Sequence, residues 1–146
     1  MRIGGSSGES SGERCPTGVQ AATFVALYDI GLQIGFEGKV QHKVALMWES
    51  QHKDSKGRPF TLFDVLTASS NEKATMTQRF ACLAGRMATE EEMDDGFDLD
   101  PYLGRACFIL VQPSKKPGGW PYIENVMPLP PGMPVPPVLW RDDGKV

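Results

Sequence analysis

A small set of cations and rings holds most of this chain's means of doing chemistry. Lys115 and Lys116 stand in the loop-like segment PSKKPGG, and Trp120 and Tyr122 follow it directly. Lys39, Gln41 and Lys43 alternate along GKVQHKVALMWE (Gly38 to Glu49), and Arg58 stands at the entrance to the next apolar run. Ammonium and guanidinium groups track phosphates, and an indole or phenol ring offers a face for an unpaired base at ~1 to 3 kcal/mol per stacked base. A basic loop next to two aromatics suits a groove that follows a nucleic-acid backbone while stacking bases, and these eight residues are the candidates for such contacts. The plainer reading is a solvated loop beside rim aromatics, and a lysine pair alone does not exclude it. Trp48, Tyr28 and Phe63 are read as core or barrel packing.

Catalysis has less footing. His42 and His52 are the only histidines, and His42 shares an apolar strand face, which suits a core or barrel-rim imidazole better than a general base. Glu90, Glu91, Glu92, Asp94, Asp95, Asp98 and Asp100 crowd one connection, but their spacing is not that of an EF-hand, and a two-metal site needs carboxylates from separate elements. There is no phosphate-binding glycine loop, G-x-S-x-G elbow or H-E-x-x-H. The expectation is a protein without enzymatic activity, metal or cofactor.

The elements that must position these residues follow from periodicity. Val40, His42, Val44, Leu46 and Trp48 fall on one side of an extended chain and Gln41, Lys43, Ala45, Met47 and Glu49 on the other, the pattern of a half-buried antiparallel strand. Before it, Val19 to Gln33 is apolar on both faces and predicts a long strand bent at Gly31 or at a bulge. After it comes QHKDSKGRP, a polar loop, and then a third strand over Phe60 to Ala68. The period then changes: Ser70 or Asn71 as cap, Met76, Phe80 and Leu83 at helical spacing and Gly85 near the end predict a helix. Thr89 to Glu92 reads as a capping box opening a short helix that Asp95-Gly96 stops. Phe97 to Gly104 is a turn back to the sheet. Ala106 to Gln112 predicts a strand buried on both sides, and Trp120 to Met127 pairs with it as the last strand, with Ile123 and Met127 on its inner face.

The resulting order, strand-strand-strand-helix-strand-strand, is an all-β arrangement with one inserted helix, that of the five-stranded OB-fold, a Greek-key barrel. The domain is expected over residues 18–128. Residues 1–17 are a Gly/Ser-rich arm expected to be disordered, and residues 129–146 a flexible, Pro-rich tail with two P-x-x-P spacings. With 146 residues and a net charge of -3, the chain makes one domain of ordinary size, and attraction to a polyanion must come from a local patch. Cys15, Cys82 and Cys107 lack disulfide-framework or metal spacing. Neither a signal peptide nor a membrane span is expected, so the sequence points to the cytoplasm.

Gly31 through Trp48-Glu49, Leu103-Gly104 with Ala106-Cys107, and Val126-Met127-Pro128-Leu129-Pro130 resemble small proteins of tailed-phage and prophage replication and recombination modules, over roughly Gly18 to Met133. The resemblance implies an OB-fold single-stranded-DNA-binding protein acting in phage DNA replication or recombination. It also implies partners among replication or recombination proteins, engaged through the C-terminal tail, and is compatible with a homodimer. The chain departs from that pattern at FTLFDVLTASSNEKATM, which lacks Tyr-Thr-x-Ser-Leu. An adaptor that binds such a partner without touching DNA is the alternative reading.

Overall fold

The computed structural model describes residues 13–34, 38–68, 75–130 and 132–133. Five strands, β1 (Gly18–Ile34), β2 (Val40–Lys53), β3 (Pro59–Thr67), β4 (Ala106–Gln112) and β5 (Tyr122–Pro128), form one antiparallel sheet in the order β3-β2-β1-β4-β5. Helices α1 (Thr75–Ala84) and α2 (Glu90–Asp95) and a 3-10 turn at Asp100–Tyr102 lie between β3 and β4. The end strands β3 and β5 lie against each other, and α1 packs on β3, β4 and β5. This is a small, barrel-like all-β fold.

The length of β1 lets it serve both halves of the sheet. Its first part pairs with β4 from Gly18↔Val111 to Thr23↔Ala106, while nearly all of it pairs with β2, from Ala22↔Ser50 to Ile34↔Val40. Two register shifts, at Val25 and at Ile30, supply the bends expected of it. The second is followed by Gly31 at φ 82°, where the Asp29 carboxylate accepts from the Gly31 N–H at 2.8 Å. A side chain at position 31 would strain this left-handed backbone.

The core is drawn from alternate positions of every strand. Ala22 and Phe24, then Val44, Leu46 and Trp48, then Leu62 and Leu66 meet Cys107, Ile109, Val111, Ile123 and Val126 beneath Met76, Phe80 and Leu83 of α1. The apolar stripe read for the helix is therefore its packing face; its cap at Ser70 or Asn71 lies outside the described residues. Phe24 and Trp48 sit 5.7 Å apart, and Phe80 meets Phe97 at 4.5 Å and Tyr102 edge-on at 5.7 Å. Among these apolar groups lies an ion pair, Arg79 Nε to Asp64 Oδ2 at 2.7 Å, with side chains only 3% and 6% exposed. Burial pushes the Asp64 carboxyl up, and the Arg79 guanidinium opposes that. The pair ties α1 to β3.

Three expectations are corrected. The strand at Ala106–Gln112 is not buried on both sides: Cys107, Ile109 and Val111 enter the core while Ala106, Phe108, Leu110 and Gln112 are half-buried. On β5 a register shift opposite Leu110 puts Val126, not Met127, on the inner face with Ile123. The arm expected to be disordered through residue 17 is anchored from Glu13 onward. The Glu13 carboxylate accepts from Ser55 N and Oγ at 3.0 Å, and Cys15 is buried beside Gln20, which also bonds Ser50. Residues 1–12 and most of the Pro-rich tail, including Pro131 and the Pro134–Pro137 spacing, lie outside the described residues.

Candidate nucleic-acid interface

The outward side of β1, β2 and β3 carries a row-by-row pattern fixed by the register. Tyr28, Ala45 and Val65 form one row, Ala26, Met47 and Phe63 the next, and Gly31, Lys43 and Thr67 flank the first on its other side. Tyr28 and Phe63 stand on strands separated by β2 and in neighbouring rows, hence about 12 Å apart at the backbone, yet their ring centroids are 6.1 Å apart at 47°. Both rings must lean inward over β2. Ala45 and Met47, on β2 between the two ringed strands, are 0% and 4% exposed although they stand outside the main apolar cluster. Tyr28 and Phe63 thus stand outside the inner cluster, where the sequence reading as barrel packing would put them; they form a half-buried aromatic pair on the outer face.

Lys43 lies one row from this pair and donates from Nζ to Thr67 Oγ1 at 2.7 Å, which fixes the amine on the same face. An ammonium has three protons, so two remain for a phosphate. Gln41, paired with Gln33, is half-buried one row farther, and exposed Lys39 leads into the strand. On the other side of the rings Glu49 is buried in the row of Thr61. The face has a cationic end and a carboxylate end.

The other expected residues gather at the opposite end of β2, where the β2–β3 turn, the β4–β5 loop and the N-terminal segment meet. Arg14 stacks its guanidinium 3.5 Å over the Trp120 ring and donates to Gly118 O at 3.4 Å. Lys115 Nζ stands 5.8 Å from the Tyr122 ring, with exposed Lys116 beside it. Arg58 is engaged by Asp54, Nε to Oδ2 at 3.3 Å. Asp54 also accepts from the Arg58 and Lys56 N–H groups, and these bonds, that from Arg58 first, hold its carboxyl below its ordinary value. Trp120 precedes β5 rather than lying in it.

No protein-family model and no curated protein matches this chain. The structure brings Lys39, Gln41 and Lys43 together at one pole and Arg58, Lys115, Lys116, Trp120 and Tyr122 at the other; it does not join the two groups into one patch. The sequence reading assigned Tyr28 and Phe63 to barrel packing and left Arg14 in the polar arm. Phe63 was legible, because Leu62 and Leu66 share a parity that excludes it; Tyr28 was hidden by the register shift at Val25, and Arg14 by the polar arm before it.

His42 is a rim residue, its Nε2 2.7 Å from Asp29 Oδ1, with side chains 44% and 68% exposed. That bond, with the Gly31 N–H, lowers the Asp29 carboxyl. Among the described residues no three His, Cys, Asp or Glu side chains converge as metal ligands, and no helix is long and apolar enough to cross a membrane. Burial raises all three thiols, Cys107 to about 12.

Proposed function

We propose that this chain is an OB-fold, sequence-tolerant single-stranded-DNA-binding protein without catalytic activity, acting in phage DNA replication or recombination. The observation that carries the reading is the Tyr28–Phe63 pair, leaning over β2 on the solvent side with the Lys43 amine fixed one row away. A ring pair held outside the core offers faces for unpaired bases, and an ammonium at its edge meets the phosphate between them. The strand order, with β3 and β5 touching and α1 inserted before β4, favours the OB arrangement. The phage setting rests on the sequence resemblance alone.

The second pole extends the same reading. Arg14 over Trp120 and Lys115 beside Tyr122 are cation–ring pairs, so a base arriving there must either take the ring's other face or displace the cation. A tryptophan-fluorescence titration with a poly-dT oligonucleotide at low and moderate salt tests the proposal. Saturable quenching that weakens with salt is the expected result. No binding at low salt rejects it.

A further inference from the structure

The inner side of the β1–β2 hairpin is a different surface from the one proposed for DNA. β3 pairs with β2 only as far as Lys43, and β4 with β1 only over Gly18–Thr23, so the strands continue beyond them as a two-stranded ribbon. On β2, Val40 and His42 share the side of Val44; across the ribbon Val40 faces Ile34 and His42 faces Leu32. Leu32, Ile34 and Val40 are 72%, 80% and 61% exposed. Gln41 and Lys43 point the other way. Three bare aliphatic side chains on one side of a ribbon are an interaction signature rather than ordinary surface scatter.

Past the His42–Asp29 pair, which stands on the same side, lies a half-open recess of about 290 Å³, walled by Leu27 and Val44 of the sheet, Ala68, Met76 of α1, and Gly96 to Leu99. Asp98 lies on its wall, and the flanking α2 and 3-10 turn add exposed Glu90, Glu91, Asp94, Asp95 and Asp100. The nearest base in sequence on the N-terminal side, Arg86, is committed to Glu92 through Nη1 and Nη2 at 2.6 and 3.0 Å. An apolar trough with an acidic wall repels a nucleic acid and complements a cationic amphipathic segment.

We infer that the hairpin's inner face and the recess together form a docking groove for a short basic amphipathic segment of a partner protein. Its apolar side chains fill the recess and cover Leu32, Ile34 and Val40, and its lysines or arginines face Asp98 and α2. The inference goes beyond the DNA reading and stands without it.

A fluorescently labelled helical peptide of leucine and lysine, with leucines on one face, is the probe. The full chain should bind it saturably and should ignore the same peptide with glutamate in place of lysine. The double variant Ile34→Ser/Val40→Ser, and separately Asp98→Asn, should each weaken binding by about tenfold or more. Both altered hairpin residues are exposed, and Asp98→Asn keeps an oxygen for the Asp100 N–H that Asp98 now receives. Glu124→Gln on β5 should change nothing, and poly-dT affinity should be the same in every variant. Equal binding by all variants would reduce the effect to attraction by net charge and overturn the groove, as would equal binding of the glutamate peptide. About tenfold tighter binding after removal of residues 134–146 would make the chain's own tail the occupant, and a dimer lost in Ile34→Ser would make it a second copy; either result overturns the partner.

Discussion

At the scale of single residues, the face proposed for DNA separates into groups that stack and groups that hold charge. Tyr28→Ala or Phe63→Ala removes one member of the ring pair, and each should weaken poly-dT binding by about 1 to 3 kcal/mol. Neither ring belongs to the core, so the far-ultraviolet circular dichroism should be unchanged, and anisotropy titration beside it distinguishes a weakened interface from an unfolded chain. A variant that binds as tightly as the parent would remove the stacking role. Trp48 is a contrast: it is 0% exposed against Phe24, and its truncation should cost about 3 to 5 kcal/mol of stability.

Between elements, the Asp64–Arg79 pair is the linkage most sensitive to substitution. Both side chains lie in the core, so removing one partner leaves the other charge without compensation. Arg79→Leu should cost about 3 to 5 kcal/mol in urea unfolding, and adding Asp64→Leu should recover much of the loss, because an apolar pair of similar volume removes both desolvation penalties. Asp64 has its carboxyl raised by burial, so the folded state holds the proton more tightly. Its own contribution to stability therefore falls as pH rises through the raised value.

Helix α2 behaves in the opposite sense. Glu92 accepts from Arg86 and from the Thr89 N–H, the Arg86 bond counting for more, and its carboxyl falls from 4.5 to about 2. A lowered folded value stabilises above the unfolded one and is lost as the solution is acidified. Urea midpoints of the parent and Glu92→Gln should differ at neutral pH and converge as pH falls from 4.5 toward about 2. A gap that persists unchanged at the acid end would show that the ion pair does not carry it. The capping box expected at Thr89 is the one present, closed at its far end by Gly96 at φ 98°.

Across the whole molecule, the basic residues proposed to meet DNA divide between two poles of a chain whose net charge is -3. Lys53 lies ten positions along β2 from Lys43, about 33 Å of extended strand. If one DNA strand passes over both poles, Lys43→Gln and the pair Lys115→Gln/Lys116→Gln should each lower the salt slope, by about 0.7 for every phosphate no longer neutralised. Shortening the oligonucleotide should abolish the Lys115/Lys116 contribution first while that of Lys43 persists. A slope that ignores both sets would place the binding face elsewhere. The acidic wall of the recess gives the molecule a third region, where a polyanion is repelled.

Periodicity and turn chemistry alone determined the order of elements, the packing face of α1, the Thr89 cap and the burial of Trp48. These are local properties: alternation, helical spacing and capping are written within a few residues of where they act. The tertiary structure decided which aromatic rings face solvent, because the register shifts at Val25 and opposite Leu110 reverse side-chain parity partway along a strand. It also paired Asp64 with Arg79 and seated Arg14 on Trp120, joining residues 15 and 106 positions apart. The same eight candidate residues could be named from their types, but their division between two ends of β2 follows only from which strand lies beside which.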